Sequence, residues 1–339
     1  MKFVRFLITV SIIIQLLSCM GQSPEVSKIN GVSFVASRVP IDSSHVAPVI
    51  NVNANYAAIM PFGFIRDLQN PEVIYNTERQ WFGETLDGAR QYIAELRKEN
   101  IAIMMKPQIW VWRGEFTGNI KMNNEADWKR LEETYAEFIL DYAKLAKETK
   151  CEILCIGTEL EQFIANRPEY WKGLISRIKK IYKGKLTYAA NWDEFKRTPF
   201  WDELDFIGVD AYFPVSNSKT PTVEEALEGW SAHKALLQQT SIDYNKPILF
   251  TEFGYRSVDY AGREPWRSDR SMNTVNLDAQ TNTTKALFET FWAEPWFAGG
   301  FVWKWYHNYK MAGGENNSRF TPQNKPAEAL IKEQFSTHE

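Results

Sequence analysis

Cysteine and histidine are scarce in this chain, at three and four residues among 339. Scattered histidines and two thiols beyond the leader offer no metal-ligand spacing, so neither a metal nor any other cofactor is indicated. Cys151 and Cys155 invite a disulfide, but they stand four apart in a run that reads as a strand. Their Cα atoms would then lie about 13 Å apart, where a bridge needs less than about 7 Å, so both are read as small core residues. A basic excess is missing too: 39 Lys and Arg against 42 Asp and Glu give a formal charge of -3, which excludes nucleic acid as a partner. There is no Gly/Ser linker to split the chain, and no apolar run long enough to cross a bilayer comfortably.

The longest apolar run, Phe6 to Leu17, follows Lys2 and Arg5 and reads as an export signal. It ends in Leu16-Leu17-Ser18-Cys19, which resembles the bacterial lipobox, where cleavage before the cysteine leaves it to carry lipid. Cys19 is therefore the expected lipidation site, residues 1–19 a lipoprotein signal peptide and residues 20–28 a tether. The expected location is outside the cytoplasm, at a membrane reached through that lipid anchor.

Against these absences stand 44% hydrophobic and 14% aromatic residues, with 13 tryptophans. That suits a large core, or a cleft whose aromatic faces stack on sugar rings. The roughly 320 residues beyond the leader leave room for two ordinary domains or one (β/α)8 barrel. Eight apolar, β-branched or aromatic runs favour the barrel: residues 31–36, 56–60, 101–106, 152–157, 186–190, 206–210, 247–251 and 300–305. They read as buried parallel strands, separated mostly by longer polar segments of helical spacing. Helices are expected at 83–99, 124–149, 168–183, 222–240, 279–292 and 326–335, while the first and fifth connections are irregular. Thr222 with Glu225 forms a capping-box pattern, Pro326 suits a first helical turn, and Gly184 and Asn245 stand where a left-handed residue closes a helix. The expected fold is α/β, a single (β/α)8 TIM barrel over residues 29–339.

Such a barrel carries its active site at the C-terminal ends of its strands. The third run leads into Lys106, Gln108, Trp110, Trp112 and Arg113, the fourth into Thr158 and Glu159, the fifth into Asn191, Trp192 and Asp193. The sixth ends in Asp210 and Tyr212, the seventh in Glu252 and Tyr255, the eighth in Trp303, Trp305 and His307. Carboxylates, amides and aromatics thus collect on one face.

Glu159 and Glu252 leave near-uninterrupted apolar strands at the same end, where packing gives no reason for a carboxylate. Strand alternation puts Glu159 on the face of Cys155 and Gly157, and Glu252 on that of Ile248 and Phe250, so both are expected to aim inward. The fourth and seventh strands stand nearly opposite in an eight-membered ring, which lets two acids approach a sugar bond from opposite sides. Glycoside hydrolysis uses such a pair: one carboxyl, kept protonated by an apolar surround, donates to the leaving oxygen, and the other attacks the anomeric carbon. In a retaining enzyme the two lie about 5 Å apart. Glu159 is assigned as acid/base and Glu252 as nucleophile.

An acid closing the fourth strand, another in Phe250-Thr251-Glu252-Phe253-Gly254-Tyr255, and a tryptophan-rich eighth strand resemble clan A of the retaining glycoside hydrolases. Gly31-Val32-Ser33-Phe34, Met60-Pro61-Phe62-Gly63-Phe64, Lys106-Pro107-Gln108-Ile109-Trp110, Gly157-Thr158-Glu159-Leu160 and Gly208-Val209-Asp210-Ala211-Tyr212-Phe213-Pro214 narrow the likeness. With Thr251-Glu252-Phe253-Gly254-Tyr255 they resemble glycoside hydrolase family 113 over nearly the whole mature chain. The resemblance implies an endo-acting β-1,4-mannanase that retains configuration, acts on a β-linked oligosaccharide or polysaccharide and needs no cofactor. Two positions depart from the pattern. Thr158 stands where many clan members carry Asn to bind the sugar's 2-hydroxyl, and Gln108 where family members often carry His. Because that hydroxyl is axial in mannose and equatorial in glucose, a changed partner at position 158 fits a manno substrate.

Of the remaining candidates, Tyr212 is expected to hydrogen-bond the nucleophile, and Asn191 and Lys106 to bind sugar hydroxyls. Trp303, Trp305, Trp110 and Trp112 are candidates for stacking on pyranose faces, with about half of them in ordinary packing instead. Tyr255 joins them as a substrate-side candidate. Arg113, Asp193 and Asp210 are read as surface or supporting ion pairs outside catalysis. Two other readings stay open: the same acids acting on another β-glycan such as a glucan or xylan, and a lipid-anchored barrel that binds carbohydrate without turnover.

Overall fold

The computed structural model describes residues 27–268 and 272–338. The expected signal peptide, Cys19 and all but two residues of the tether lie outside the described residues. Among those described, the strands in chain order are β1 Ile29–Phe34, β2 Tyr56–Ile59, β3 Phe62–Ile65, β4 Ile74–Tyr75, β5 Ala102–Met105 and β6 Gln108–Val111. They continue as β7 Ile153–Thr158, β8 Lys185–Asn191, β9 Ile207–Asp210, β10 Ile248–Phe253 and β11 Phe297–Trp305. The α-helices are α1 Ser43–Asn51, α2 Leu86–Lys98, α3 Glu125–Glu148, α4 Glu161–Asn166, α5 Pro168–Ile181, α6 Val223–Tyr244, α7 Leu277–Phe291 and α8 Pro326–Thr337.

Strands β1, β2, β5, β7, β8, β9, β10 and β11 close a parallel barrel in that order, β11 returning to pair with β1. These are the eight runs the sequence singles out, and the fold is a (β/α)8 TIM barrel. Both faces of these strands are buried, and successive side chains point alternately into the barrel and under the helices. Ile29, Ala58, Met104, Ile153, Cys155, Ala189, Leu249 and Phe301 form a small cluster filling the barrel, while their neighbours Ala57, Ile103, Leu154, Ala190, Phe250 and Val302 join the larger core under the helices. Phe301 reaches the axis because Gly31 lies opposite, where a Cβ would sit 2.3 Å from its ring.

The helices follow from spacing and caps. In α3, Trp128, Leu131, Tyr135, Phe138, Ile139 and Tyr142 recur at three- and four-residue steps and are buried, and the Asn124 side chain accepts from Asp127 N at the start. Thr222 and Glu225 form the expected capping box of α6, Asn245 closes it at φ 51°, and Pro326 opens α8. Gly184 corrects an expectation: it does not adopt positive φ, and α5 stops three residues earlier. Glycine is needed there because the Tyr182 hydroxyl passes 2.2 Å from where a Cβ would stand. The irregular first connection contains α1, with Pro48 inside it, and the fifth holds two 3-10 turns, Phe195–Arg197 and Trp201–Glu203. A feature not foreseen is a three-stranded side sheet, ordered β4-β3-β6, beyond the C-terminal ends of β2 and β5. It carries Trp110 to the rim of the mouth.

Candidate active site

Both acids stand where the regular pairing of the barrel breaks. Between β7 and β8, Cys155 pairs with Thr187 and Thr158 with Ala189, so three residues span what two span opposite. Between β10 and β9, Phe250 pairs with Val209 and Glu252 with Asp210, two residues against one. Bulges of this kind re-aim side chains at barrel rims. Glu159 then turns off the end of β7 with φ 50°, its N–H bonded to Ala189 O at 2.8 Å. Bulges and a left-handed residue, and not unbroken alternation, therefore set the directions of the two acids.

The Glu252 carboxylate is buried and held by three donors. Lys106 Nζ and Gln108 Nε2 donate to Oε1 at 2.5 and 2.9 Å, and the Tyr212 hydroxyl donates to Oε2 at 2.7 Å. Lys106 has no accessible surface and also reaches Asp210 Oδ1 at 3.0 Å, which in turn accepts from Thr251 Oγ1 at 2.7 Å. Burial works against the lysine's charge, yet the facing Asp210 and Glu252 outweigh it and raise its proton affinity above the ordinary value. One cation thus serves two carboxylates. Asp210, pushed up first by burial and then by the Glu252 charge, against the pull of Lys106 and Thr251, holds a proton more readily than an ordinary aspartate.

Glu159 stands in the opposite environment. Burial first, then the charges of Asp210, Glu252 and Glu194, raise its proton affinity well above that of an ordinary glutamate, with only Lys106 opposing. Of the two glutamates at the mouth, Glu159 is therefore disposed to keep a proton and Glu252 is wrapped in donors.

Several expected site residues take other places. Lys106 cannot bind sugar hydroxyls, because it is paired with Asp210 and Glu252 and has no exposed atom. Trp305 and Tyr255 are buried in the main core and offer no face to a ligand. Trp303 lies within β11, partly exposed, and is joined to Lys304 by a cis peptide bond. Trp110 and Trp112 are 48% and 67% exposed on the rim, with Arg113 and Gly114 at positive φ between them and the following loop. Asn191 is partly exposed, and its Oδ1 accepts from Trp192 N at 2.7 Å. Asp210 is drawn into the centre of the site, contrary to the reading that left it outside catalysis. Gln108 gains a definite partner in Glu252. Three residues of the site were not foreseen: Thr251 and Tyr188 fall within strand runs, and Glu194 follows β8 with no pattern to mark it.

Among the described residues, no group of three or more His, Cys, Asp or Glu side chains could hold a metal ion. A depression of about 670 Å³ lies at the other end of the barrel, lined by strand-start residues including Tyr56, Glu152 and Lys185. Its two carboxylates, Glu152 and Asp205, are engaged by Arg97 and Lys185, so the chemistry belongs to the mouth.

A closed parallel barrel whose mouth joins a proton-holding carboxyl to a donor-held carboxylate defines a glycoside hydrolase. The model of glycoside hydrolase family 113 matches residues 42–325, and the chain belongs to that family. Its fold is similar to that of the family 113 β-mannanase from Alicyclobacillus acidocaldarius solved in complex with ManMIm. That match has a TM-score of 0.81 at 23% identity, covering 93% of this chain and 99% of that one. A second family 113 β-1,4-mannanase, also solved as a complex, matches with a TM-score of 0.80 at 21% identity over 92% and 99% of the two chains. The β-glucuronidase of Faecalibacterium prausnitzii is more distant, with a TM-score of 0.61 and 14% identity over 92% of this chain and 49% of that one. No curated protein matches the chain.

Proposed function

We propose that this glycoside hydrolase cleaves β-1,4-mannosidic bonds in mannan or manno-oligosaccharides by double displacement, with Glu252 as nucleophile and Glu159 as acid/base. The observation that carries this reading is the contrast between the two carboxyls: Glu252 faces three donors, while Glu159 faces the charges of Asp210, Glu252 and Glu194 and holds its proton more tightly than an ordinary glutamate. In the first step a Glu252 oxygen bonds to the anomeric carbon as the glycosidic C–O bond breaks, and the Glu159 proton passes to the leaving oxygen. In the second, Glu159 takes a proton from water, the water oxygen bonds to the anomeric carbon, and Glu252 leaves as a carboxylate.

The buried charges suit this cycle. Esterifying Glu252 removes one negative charge beside Lys106, and the spent proton of Glu159 restores one close by. Asp210 keeps Lys106 partnered throughout. Mannan as substrate is supported by the likeness to solved family 113 structures named as β-mannanases and by Thr158 in place of the clan's Asn. Hydrolysis of a manno-oligosaccharide series, with product anomers followed by NMR, tests the reading. Wild type is expected to release β products first, and Glu159→Ala and Glu252→Ala to lose activity severely. Initial α products, or turnover only on glucan or xylan, would overturn mechanism or substrate respectively.

We also infer that the chain is exported and lipid-anchored through Cys19. Lys28, the last residue before β1, donates to the carbonyls of Glu294 and Phe297 at 2.6 and 2.5 Å, where β11 begins. The chain thus enters β1 at the end of the barrel opposite the mouth. Incorporation of labelled fatty acid by wild type but not by Cys19→Ala is the expected result; equal incorporation rejects the anchor.

A further inference from the structure

Outside the groups that face the nucleophile, one buried carboxylate has no part in the mechanism above. Glu194, three residues beyond the end of β8, is 1% exposed, which a loop glutamate does not tolerate without a purpose. Its two oxygens are both engaged. Oε2 accepts from Asn191 N at 3.0 Å, closing its own loop, and Oε1 accepts from the Tyr188 hydroxyl at 2.7 Å. That hydroxyl itself accepts from Leu160 N at 2.5 Å. The chain of contacts therefore runs from Glu194 through Tyr188 to the peptide that follows Glu159.

This peptide needs holding. Glu159 sits at φ 50°, a backbone region unfavourable for glutamate, and persists there only if its surroundings over-determine it. Strand β8 supplies both restraints: Ala189 O binds Glu159 N, and the Tyr188 hydroxyl binds the next N–H along. Tyr188 is itself immobile, fully buried with its ring against Trp171, Phe200 and Trp201. A phenol donating to a carboxylate is a better-oriented acceptor for an N–H than a freely rotating one, which gives Glu194 a lever on the turn.

We propose that Glu194 is a positioning residue for the acid/base: through Tyr188 it fixes the Glu159–Leu160 turn, and its buried carboxylate backs the proton carried by Glu159. This rests on the assignment of Glu159 made under Proposed function. The charged groups facing Glu159 are Asp210, Glu252, Glu194 and Lys106; those facing Glu194 are Tyr188, Asp210 and Glu161, the last bonded to Arg197 at 2.6 Å. Burial, opposed by the Asn191 and Tyr188 bonds, pushes Glu194 up to about 7. Above that value its charge opposes ionisation of Glu159, so its support is strongest in the range where an ordinary glutamate would long have lost its proton.

The test joins a titration that needs no substrate to a kinetic comparison. With ¹³C-carboxyl-labelled glutamate, the Glu159 midpoint is expected to fall by about half a pH unit or more in Glu194→Gln. In kinetics, Glu194→Gln and Tyr188→Phe should lower kcat/KM on a manno-oligosaccharide by about tenfold, and far less on a dinitrophenyl glycoside whose leaving group needs no proton. An unchanged midpoint overturns the electrostatic role, and equal losses on both substrates in both variants reduce Glu194 and Tyr188 to general support of the fold. If wild type cleaved neither substrate, the mannosidase reading would fail, while the titration would still decide whether Glu194 backs the Glu159 proton.

Discussion

At the scale of single residues, the site separates two chemically identical side chains by what surrounds them. Glu252 receives Lys106, Gln108 and Tyr212, whereas Glu159 looks onto Asp210, Glu252 and Glu194. Removing the Tyr212 hydroxyl deletes a bond to a charged group, so Tyr212→Phe is expected to lower kcat/KM by about 10- to 100-fold. Circular dichroism should show the fold intact, and a wild-type rate would exclude any role for that bond. Lys106 presents a different case. Lys106→Met leaves Asp210 and Glu252 buried together without their cation, which should cost about 3–5 kcal/mol in urea denaturation. A variant as stable as wild type would mean that Asp210 carries a proton in the folded chain.

At the scale of elements, caps and close approaches decide where the framework bears no change. The box between Thr222 and Glu225 ties down the start of α6, and Thr222→Ala is expected to cost about 1 kcal/mol with kinetics unchanged. Gly208 sits in β9 where a Cβ would lie 2.1 Å from Tyr188 O and 2.4 Å from Thr187 Oγ1. Gly208→Ala must therefore push β8 and β9 apart beside Asp210 and Tyr188, and should lower both the melting temperature and kcat; an unperturbed variant would mean the barrel wall yields more easily than its backbone contacts imply. The strands and long helices were legible because an unbroken apolar run marks a strand buried on both faces and a 3.6-residue spacing marks a half-buried helix, and both are written in neighbouring residues. The side sheet was not: β3, β4 and β6 are four, two and four residues long, and their pairing depends on where loops from two barrel strands meet.

At the scale of the whole molecule, gathering several acids at one mouth makes stability depend on pH. Glu159, Asp210 and Glu194 all hold protons more tightly folded than unfolded. Their contribution is complete below the ordinary carboxylate range and is lost as pH rises through the raised values, about 7 for Glu194. Melting temperature is therefore expected to decline between about pH 5 and pH 8, and Glu194→Gln to flatten that decline. A flat profile in the wild type would show that these acids are paid for by partners before and after unfolding alike.

The sequence alone determined the eight barrel strands, the end of the barrel that carries the chemistry and the two acids there, since each depends on local pattern and on where a polar residue interrupts an apolar run. Only the tertiary structure decided how the acids point, that Lys106 is buried between Asp210 and Glu252, that Trp305 and Tyr255 are core, and that Glu194 reaches the Glu159–Leu160 turn through Tyr188. Those facts come from closing the ring. Closure brings Lys106 to Glu252 across 146 positions of chain, and bulges in β7 and β10 redirect side chains that strict alternation would have sent elsewhere.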